Sequence, residues 1–461
     1  MIRCELDPGF LPAVQWNRAY EAAVNASAES GSVSIGLWRQ NQPIARRELQ
    51  ILPERDSARN FQYIERLLKF MLWAYGGNRI LFSGPDCLLQ RLKHYYAETS
   101  AGRFDSETVG RKIFGSPIQI EKRTAAEIPE PDRQENRIGG HLEGCRIGFD
   151  LGGSDRKCAA LMDGEVVFSE EVKWDPYFQS NPQYHYDGIM DSLRRAAAHL
   201  PRVDAIGGSA AGVYVNNEVR VSSLFRGVSP RDFESSVRRI FHRLKAEWNH
   251  VPFEVVNDGE VTALAGAMSL NDHAILGVSM GTSMAAGYVT PEGTLTSQLN
   301  ELAFVPVDYR ADGPVDEWSG DRGCGVQFFS QQGAARLAAA AGLTFPQEVP
   351  LAERLLDIQR RMAAGDRRAR RIYETIGICF GYAVARFAEF YDFRNLLLLG
   401  RVLSGSGGQV IIENTEKVLQ TEFPELAEKI KIRTLDEQGK RHGQAVAAAG
   451  LPSLSEKSSG K

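Results

Sequence analysis

Twice along this chain an apolar strand runs into a short glycine turn, comes back as a second strand, and is followed by alternating helices and strands. The first start is Cys145–Lys157, CRIGFDLGGSDRK; the second is Leu276–Tyr288, LGVSMGTSMAAGY. A strand-rich start followed by helical crossovers, present twice, predicts two similar α/β lobes facing each other across a cleft. Strands are expected at 146–150, 158–162, 165–172, 203–208 and 253–257, then at 274–280, 284–289, 395–399 and 429–433. Helices are expected at 187–200, 231–248, 331–341, 350–363 and 367–392, after Gly408, and from Gly443 to Ala449 ahead of a polar, mobile tail.

A chain of 461 residues is long for one domain, and 43% apolar with 24% charged residues allows large cores. The net charge of −4 argues against broad nucleic-acid binding. No apolar run is long enough for a bilayer; the strongest, Leu396–Leu399, has the length of a buried strand. The opening MIRCELDPGF lacks a signal-peptide pattern, so a cytoplasmic setting without membrane contact is expected. Six scattered cysteines with no C-x-x-C pair read as reduced, buried thiols.

Residues 1–140 read as an N-terminal α/β unit of their own. Ser32–Trp38 alternates like a strand, and Phe61–Tyr75 is apolar at helical spacing until Gly76-Gly77 stops it. Arg79–Ser83 and Ser116–Glu121 read as strands, Leu88–Ala97 as a helix, and the polar stretch Arg123–Glu143 as a linker. A DNA-reading module would want two short helices, a basic recognition helix and a small hairpin. Arg91, Lys93 and His94 share one helix, but such a cluster reads as a solvated face.

Four stretches could carry chemistry. In the first, Asp150 ends a strand and Gly152, Gly153 and Ser154 follow at once. Glycine lets backbone N–H groups approach a phosphate closely, and a carboxylate just before the turn can hold a hydrated Mg²⁺ against it. An ordinary hairpin turn explains the same residues. In the second, VVNDGEVTALAG, a strand ends at Asn257-Asp258 where a helix begins. Asp258 suits a helix N-cap, and it equally suits a general base at the carboxyl end of a strand facing a cleft. The third is the turn of Gly281, Thr282 and Ser283, whose backbone donors and hydroxyls suit a phosphate or simply turn a hairpin. The fourth is LLLLGRVLSGSGG, in which a buried strand opens at Gly400 into a Gly/Ser loop through Ser404 that could cradle adenosine.

The order of these four resembles that of the actin, hexokinase and heat-shock-chaperone ATPase superfamily, and within it the ROK family of sugar kinases and sugar-responsive repressors. The resemblance covers roughly residues 145–450, and IGGSAAGVYVNNEV, with Gly212, is similar to the family's sugar-proximal loop. It implies two actin-like (ribonuclease H-like) lobes, 145–257 and 258–440, with a C-terminal helix, 441–450, returning to the first. It implies Asp258 as the base acting on a sugar hydroxyl, and Asn257, Glu301 and Gly212 as sugar contacts. ATP would lie on Gly152, Gly153, Ser154, Gly281, Thr282, Ser283, Gly400 and Ser404, with Asp150 holding Mg²⁺ through water. A homodimer is implied as well.

The chain departs from the family on the sugar side. Phe304 stands where the family has histidine, and Val326 where it has a second glutamate. Of the family's Cys-x-Cys-Gly-x-x-Gly-Cys segment, residues 317–324 keep both glycines and only Cys324, so no structural zinc is expected. Ser283 replaces a phosphate-loop glycine, and Ala211 replaces a proline. The resulting expectation is an ATP-dependent sugar or sugar-derivative kinase. The alternative is a catalytically lapsed sugar- or nucleotide-binding sensor.

Overall fold

The computed structural model describes residues 1–131, 138–434 and 437–454. Residues 132–137 of the expected linker and 455–461 of the expected tail lie outside the described residues. Fifteen strands are described: β1 (Gly31–Arg39), β2 (Gln42–Ile51), β3 (Arg79–Ser83), β4 (Gln119–Lys122), β5 (Cys145–Leu151), β6 (Asp155–Met162), β7 (Glu165–Lys173), β8 (Ala205–Ala210), β9 (Val213–Val215), β10 (Glu218–Val221), β11 (Phe253–Asn257), β12 (Ile275–Met280), β13 (Met284–Val289), β14 (Asn395–Leu399) and β15 (Lys431–Thr434).

Five of them form the first lobe's sheet, in the order β11-β8-β5-β6-β7. β5 pairs antiparallel with β6 and parallel with β8, which pairs parallel with β11. Every residue of β5 and β8 is buried, as expected of central strands covered on both faces. The edge strand β7 instead carries Glu170, Glu171 and Lys173, charges that discourage further pairing. The helix Glu437–Ala449 lies so close to this sheet that a Cβ on Gly148 would sit 1.7 Å from the Ala445 carbonyl oxygen, and one on Gly207 1.7 Å from that of Ala448. Glycine in the strands and alanine in the helix are what allow that approach.

The second lobe's sheet has the order β13-β12-β14-β15. β14, Leu396–Leu399 after Asn395, lies parallel between β12 and β15 and is wholly buried. Between the lobes runs the helix Asp258–Leu270. Val261, Ala263, Leu264, Ala265 and Ala267 on it are all buried, together with Ala447 and Ala448 of the last helix and Leu397 of β14. A helix apolar on all sides belongs in such a position.

The N-terminal sheet, β2-β1-β3-β4, does not have a core to itself. Its strands, the helix Ala13–Asn25 and the helix Ser57–Ala74 share one continuous apolar core with residues 276–430 of the second lobe. Phe10 meets Phe328 at 5.4 Å, Phe70 stacks on Phe390 at 3.8 Å, and Trp73 packs on Phe304 at 4.2 Å. Lys69, fully buried, pairs with Asp105 at 3.1 Å and with Asp321 at 2.9 Å, and Arg66 joins Asp321 at 3.0 Å. Among the described residues, no helix is long and apolar enough to cross a membrane.

Candidate active site

In each lobe the parallel strands run into the stretches singled out by the sequence. In the first lobe β5 ends on Asp150-Leu151, β8 leads into Gly212, and β11 ends on Asn257. In the second, β12 leads into Gly281 and β14 into Gly400. Carboxyl ends of such strands are where α/β proteins place ligands.

Asp150 is buried, and its Oδ1 accepts a 2.6 Å hydrogen bond from the Ser209 hydroxyl directly across the β5–β8 pairing. On its other side β5 pairs with β6, which sets Lys157 opposite it; the ammonium lies 3.5 Å from Asp150 Oδ2 and 3.0 Å from Asp155. Burial raises the Asp150 pKa, while Ser209 and Lys157 pull against that rise.

Asn257 is the N-cap of the Asp258–Leu270 helix. Its Oδ1 accepts from the Gly259 N–H at 2.7 Å, and its Nδ2 donates to the Gly212 carbonyl at 2.7 Å. One amide thus starts the helix and fixes the Gly212 turn, where φ is +133° and a Cβ would meet the Val221 carbonyl at 2.4 Å. With Asn257 as the cap, Asp258 occupies the first helical position instead. Burial, reinforced by the Asp150 carboxylate, pushes Asp258 up to about 6. Burial and then Asp258 push Glu301 up to about 7. Glu260 reaches back to the Asn257 backbone in the manner of a capping box and accepts from Asn300 Nδ2 at 3.2 Å. Burial nevertheless takes it up to about 8.

Glu301 is delivered by the N-terminal unit. The backbone N–H groups of Asn300 and Glu301 donate to the carbonyls of Ala74 and Trp73, at 2.9 and 3.0 Å, at the end of the Ser57–Ala74 helix. Phe304 turns into the core against Trp73 and Phe104.

Of the glycine loops, the first is a closed turn. The Gly152 N–H donates to the Asp155 carbonyl at 3.0 Å, and Trp174 Nε1 donates to the Gly152 carbonyl at 2.8 Å. Tyr177 covers Gly153, since a Cβ there would lie 2.0 Å from the tyrosine hydroxyl. Ser154 is exposed, and its hydroxyl donates to Asp155. In the second loop the Gly281 N–H donates to the Ser283 carbonyl at 2.9 Å, and Thr282 and Ser283 are exposed. Gly400, at φ +102°, abuts the Met280 backbone of that same loop, where a Cβ would come within 2.4 Å. Ser404 lies further out, exposed, its carbonyl 3.4 Å from Gln359 Nε2.

A cavity of about 520 Å³ opens beside Glu260 and Glu301; Asp150, Asp258 and the turns at Gly152, Gly281 and Gly400 are not among its lining residues. Asn257, Glu260, Glu301 and Gly212 line it, and so do Arg39 and Phe114 of the N-terminal unit. The 317–324 segment lies elsewhere: Asp321 is held by Arg66 and Lys69, and Cys324 is fully buried. No group of three or more metal-ligating side chains forms among the described residues. On the Asp86–Glu98 helix, Arg91 lies over the Phe61 ring and donates to the Ser57 carbonyl.

Lys157, Ser209, Glu260 and Arg39 were not among the expected site residues. The first two were legible in principle. A four-residue turn closed by Gly152 and Asp155 sets residue 157 opposite 150, and parallel β8 sets a hydroxyl beside the acid. Arg39 carries no such signal, because it reaches the cavity from another sheet.

Two lobes of this topology around one cleft define the mixed α/β, actin-like fold. It is the fold of ROK hexokinases: the ROK hexokinase of Thermus thermophilus matches 67% of this chain over 97% of its own length, at 19% identity and a TM-score of 0.53. A ROK family glucokinase from Streptomyces griseus, solved with glucose and AMPPNP, matches 67% of this chain and 99% of its own at 18% identity and a TM-score of 0.47. A ROK family transcriptional regulator, a homologue of an E. coli protein, matches 68% and 79% at 19% identity and 0.49. No protein-family model and no curated protein matches the sequence. Likeness at these identities speaks to the fold.

Proposed function

We propose that the chain transfers the γ-phosphoryl group of ATP to a hydroxyl of a sugar or sugar derivative. The observation that carries this reading is Asp258. It opens the interlobe helix, burial and then the Asp150 carboxylate push it up to about 6, and Asp258 in turn helps to raise Glu301 of the cavity wall. A carboxylate of that basicity is mostly ionised at neutral pH and takes up a proton more readily than an ordinary one. Asp258 accepts the hydroxyl proton as the oxygen attacks the γ-phosphorus. The new O–P bond forms as the bond to the bridging oxygen breaks, and ADP leaves. Asn257, Gly212 and Glu301 hold the acceptor. Gly152, Gly153, Ser154, Gly281, Thr282, Ser283, Gly400 and Ser404 hold the nucleotide.

Asp150 fits a hydrated Mg²⁺ as an outer acceptor: one buried carboxylate, pre-oriented by Ser209, suits an ion that keeps most of its water and rides in on phosphates. The ion would screen phosphate charge. Lobe closure would exclude water. A homodimer in a cytoplasmic setting belongs to the same reading, and light scattering checks the dimer.

A second reading, a binding protein without turnover, has specific support. Lys157 already neutralises Asp150, and Tyr177 covers Gly153. A coupled ATP-consumption screen over a sugar panel separates the two. The kinase reading expects turnover that Asp258→Asn lowers by about 10²–10⁴-fold with the fold intact. Sugar binding with no turnover on any sugar establishes the second reading.

A further inference from the structure

The cavity beside Glu301 is walled on one side by the N-terminal unit, through Arg39, Gln40 and Gln42 of the β1–β2 turn and through Phe114. Arg39 is the unusual member. Its side chain is half-buried, and it hydrogen-bonds to a backbone carbonyl, not to a carboxylate. Nη2 donates to the Tyr75 carbonyl, Nε is buried without a hydrogen-bond partner, and the guanidinium lies over the Phe114 ring at 5.2 Å. A guanidinium offers five donors in a planar fork, and a buried cation is ordinarily paired with an anion. Burial lowers Arg39 only to about 10, so it stays charged at neutral pH. The acid it feels is Glu260, which is raised to about 8 and so is mostly protonated there. A second cation, Lys245 of the first lobe, lines the same cavity, as does Glu254, whose carboxylate lies 3.5 Å from Asn217.

We infer that the acceptor is an acidic sugar, whose carboxylate or phosphate pairs with Arg39 while its ring lies against Phe114 and its reacting hydroxyl faces Asp258. This inference deepens the kinase reading and rests on it for the role of the hydroxyl, but the anion pairing is a binding property. The N-terminal unit thereby becomes the element that selects the substrate's charge. Arg39 is a specificity residue; Asp258 and Glu301 are untouched by its removal.

The test is isothermal titration calorimetry without nucleotide, so that absence of phosphoryl transfer does not affect it. Three acidic probes (D-glucuronate, D-gluconate, glucose 6-phosphate) are compared with neutral D-glucose and N-acetyl-D-glucosamine. At least one acidic probe should bind about 10–100-fold more tightly than both neutral sugars. Arg39→Gln should cost the acidic probe at least about tenfold more affinity than it costs the neutral sugars, and Arg39→Lys should restore part of that difference. If Arg39→Gln fails to fold, the wild-type protein still decides. The acidic probe's affinity should fall steeply between about 50 and 500 mM salt while glucose affinity holds. Neutral sugars binding as tightly as every acidic probe, no acidic probe binding, or equal loss of both classes in Arg39→Gln overturns the inference. Acidic-sugar binding without turnover would leave the inference standing and remove the kinase reading.

Discussion

Asp258, Glu301 and Glu260 each hold a proton more tightly than an ordinary carboxyl group, and burial is the largest cause for all three. For Asp258 the expected outcome is kinetic. Turnover should be flat near neutrality and fall about tenfold per pH unit below pH 6, read from kcat/KM against pH. For Glu301 it is thermodynamic. A carboxyl whose folded pKa lies above its unfolded one binds more protons in the folded state, so stability falls as pH rises between the two values. Glu301→Gln should therefore melt a few degrees above the wild-type protein at pH 8, with the difference shrinking through pH 7 and vanishing only below pH 4.5. A melting series over that range checks it. Asp150 and Asp258 stand out in the sequence because acids at strand ends are locally conspicuous. Of the two readings the sequence offers for Asp258, the N-cap falls to its neighbour: Asn257 caps, and Asp258 is the first helical residue. Arg39 was illegible because its relation to Glu260 joins the N-terminal sheet to the interlobe helix across more than two hundred residues of chain.

At the level of single elements, the interlobe joint depends on bare backbone. Gly148→Ala or Gly207→Ala would drive a methyl group into the carbonyls of the Glu437–Ala449 helix. Overpacking of this kind costs about 1–3 kcal/mol, and equilibrium denaturation should show the upper part of that range. The central strands of the lobes were legible because they are buried and read as short apolar runs, and the edge strands β7 and β15 because they follow them in the alternation. Some elements of the N-terminal unit and the short hairpin were not. β2, QPIARRELQI, is an edge strand with only Ala45 and Ile51 buried, so charge masks its period. The helix Ala13–Asn25 buries Ala13, Val14, Asn17, Tyr20 and Val24 at helical spacing, but Asn17 interrupts the apolar pattern. β9 and β10 form an isolated hairpin too short to carry a signal. The long helix Arg367–Phe387 stops before the expected 392, as Phe390 turns out to stack on Phe70.

Across the whole molecule, the N-terminal unit and second lobe behave as one body locked by buried charge. Lys69 serves two carboxylates, Asp105 from its own unit and Asp321 from the second lobe. Burial outweighs Lys69 at Asp105, which sits up at about 6, whereas Arg66 and Lys69 together hold Asp321 below the usual carboxylate range. Lys69→Met would leave Asp105 without its cation and Asp321 with Arg66 alone, and a loss of about 3–5 kcal/mol should appear in denaturant unfolding. Sequence alone separated residues 1–140 from the rest because their partners across the core lie far along the chain. That separation has a consequence during synthesis. Residues 1–131 are made before the second-lobe part of their shared core, residues 276–430, the last of which arrives roughly 300 residues later. At translation speeds of about 5–20 residues per second, the nascent segment waits about 15–60 s in that state. Sticky surface bared for that long is the kind that chaperones shield.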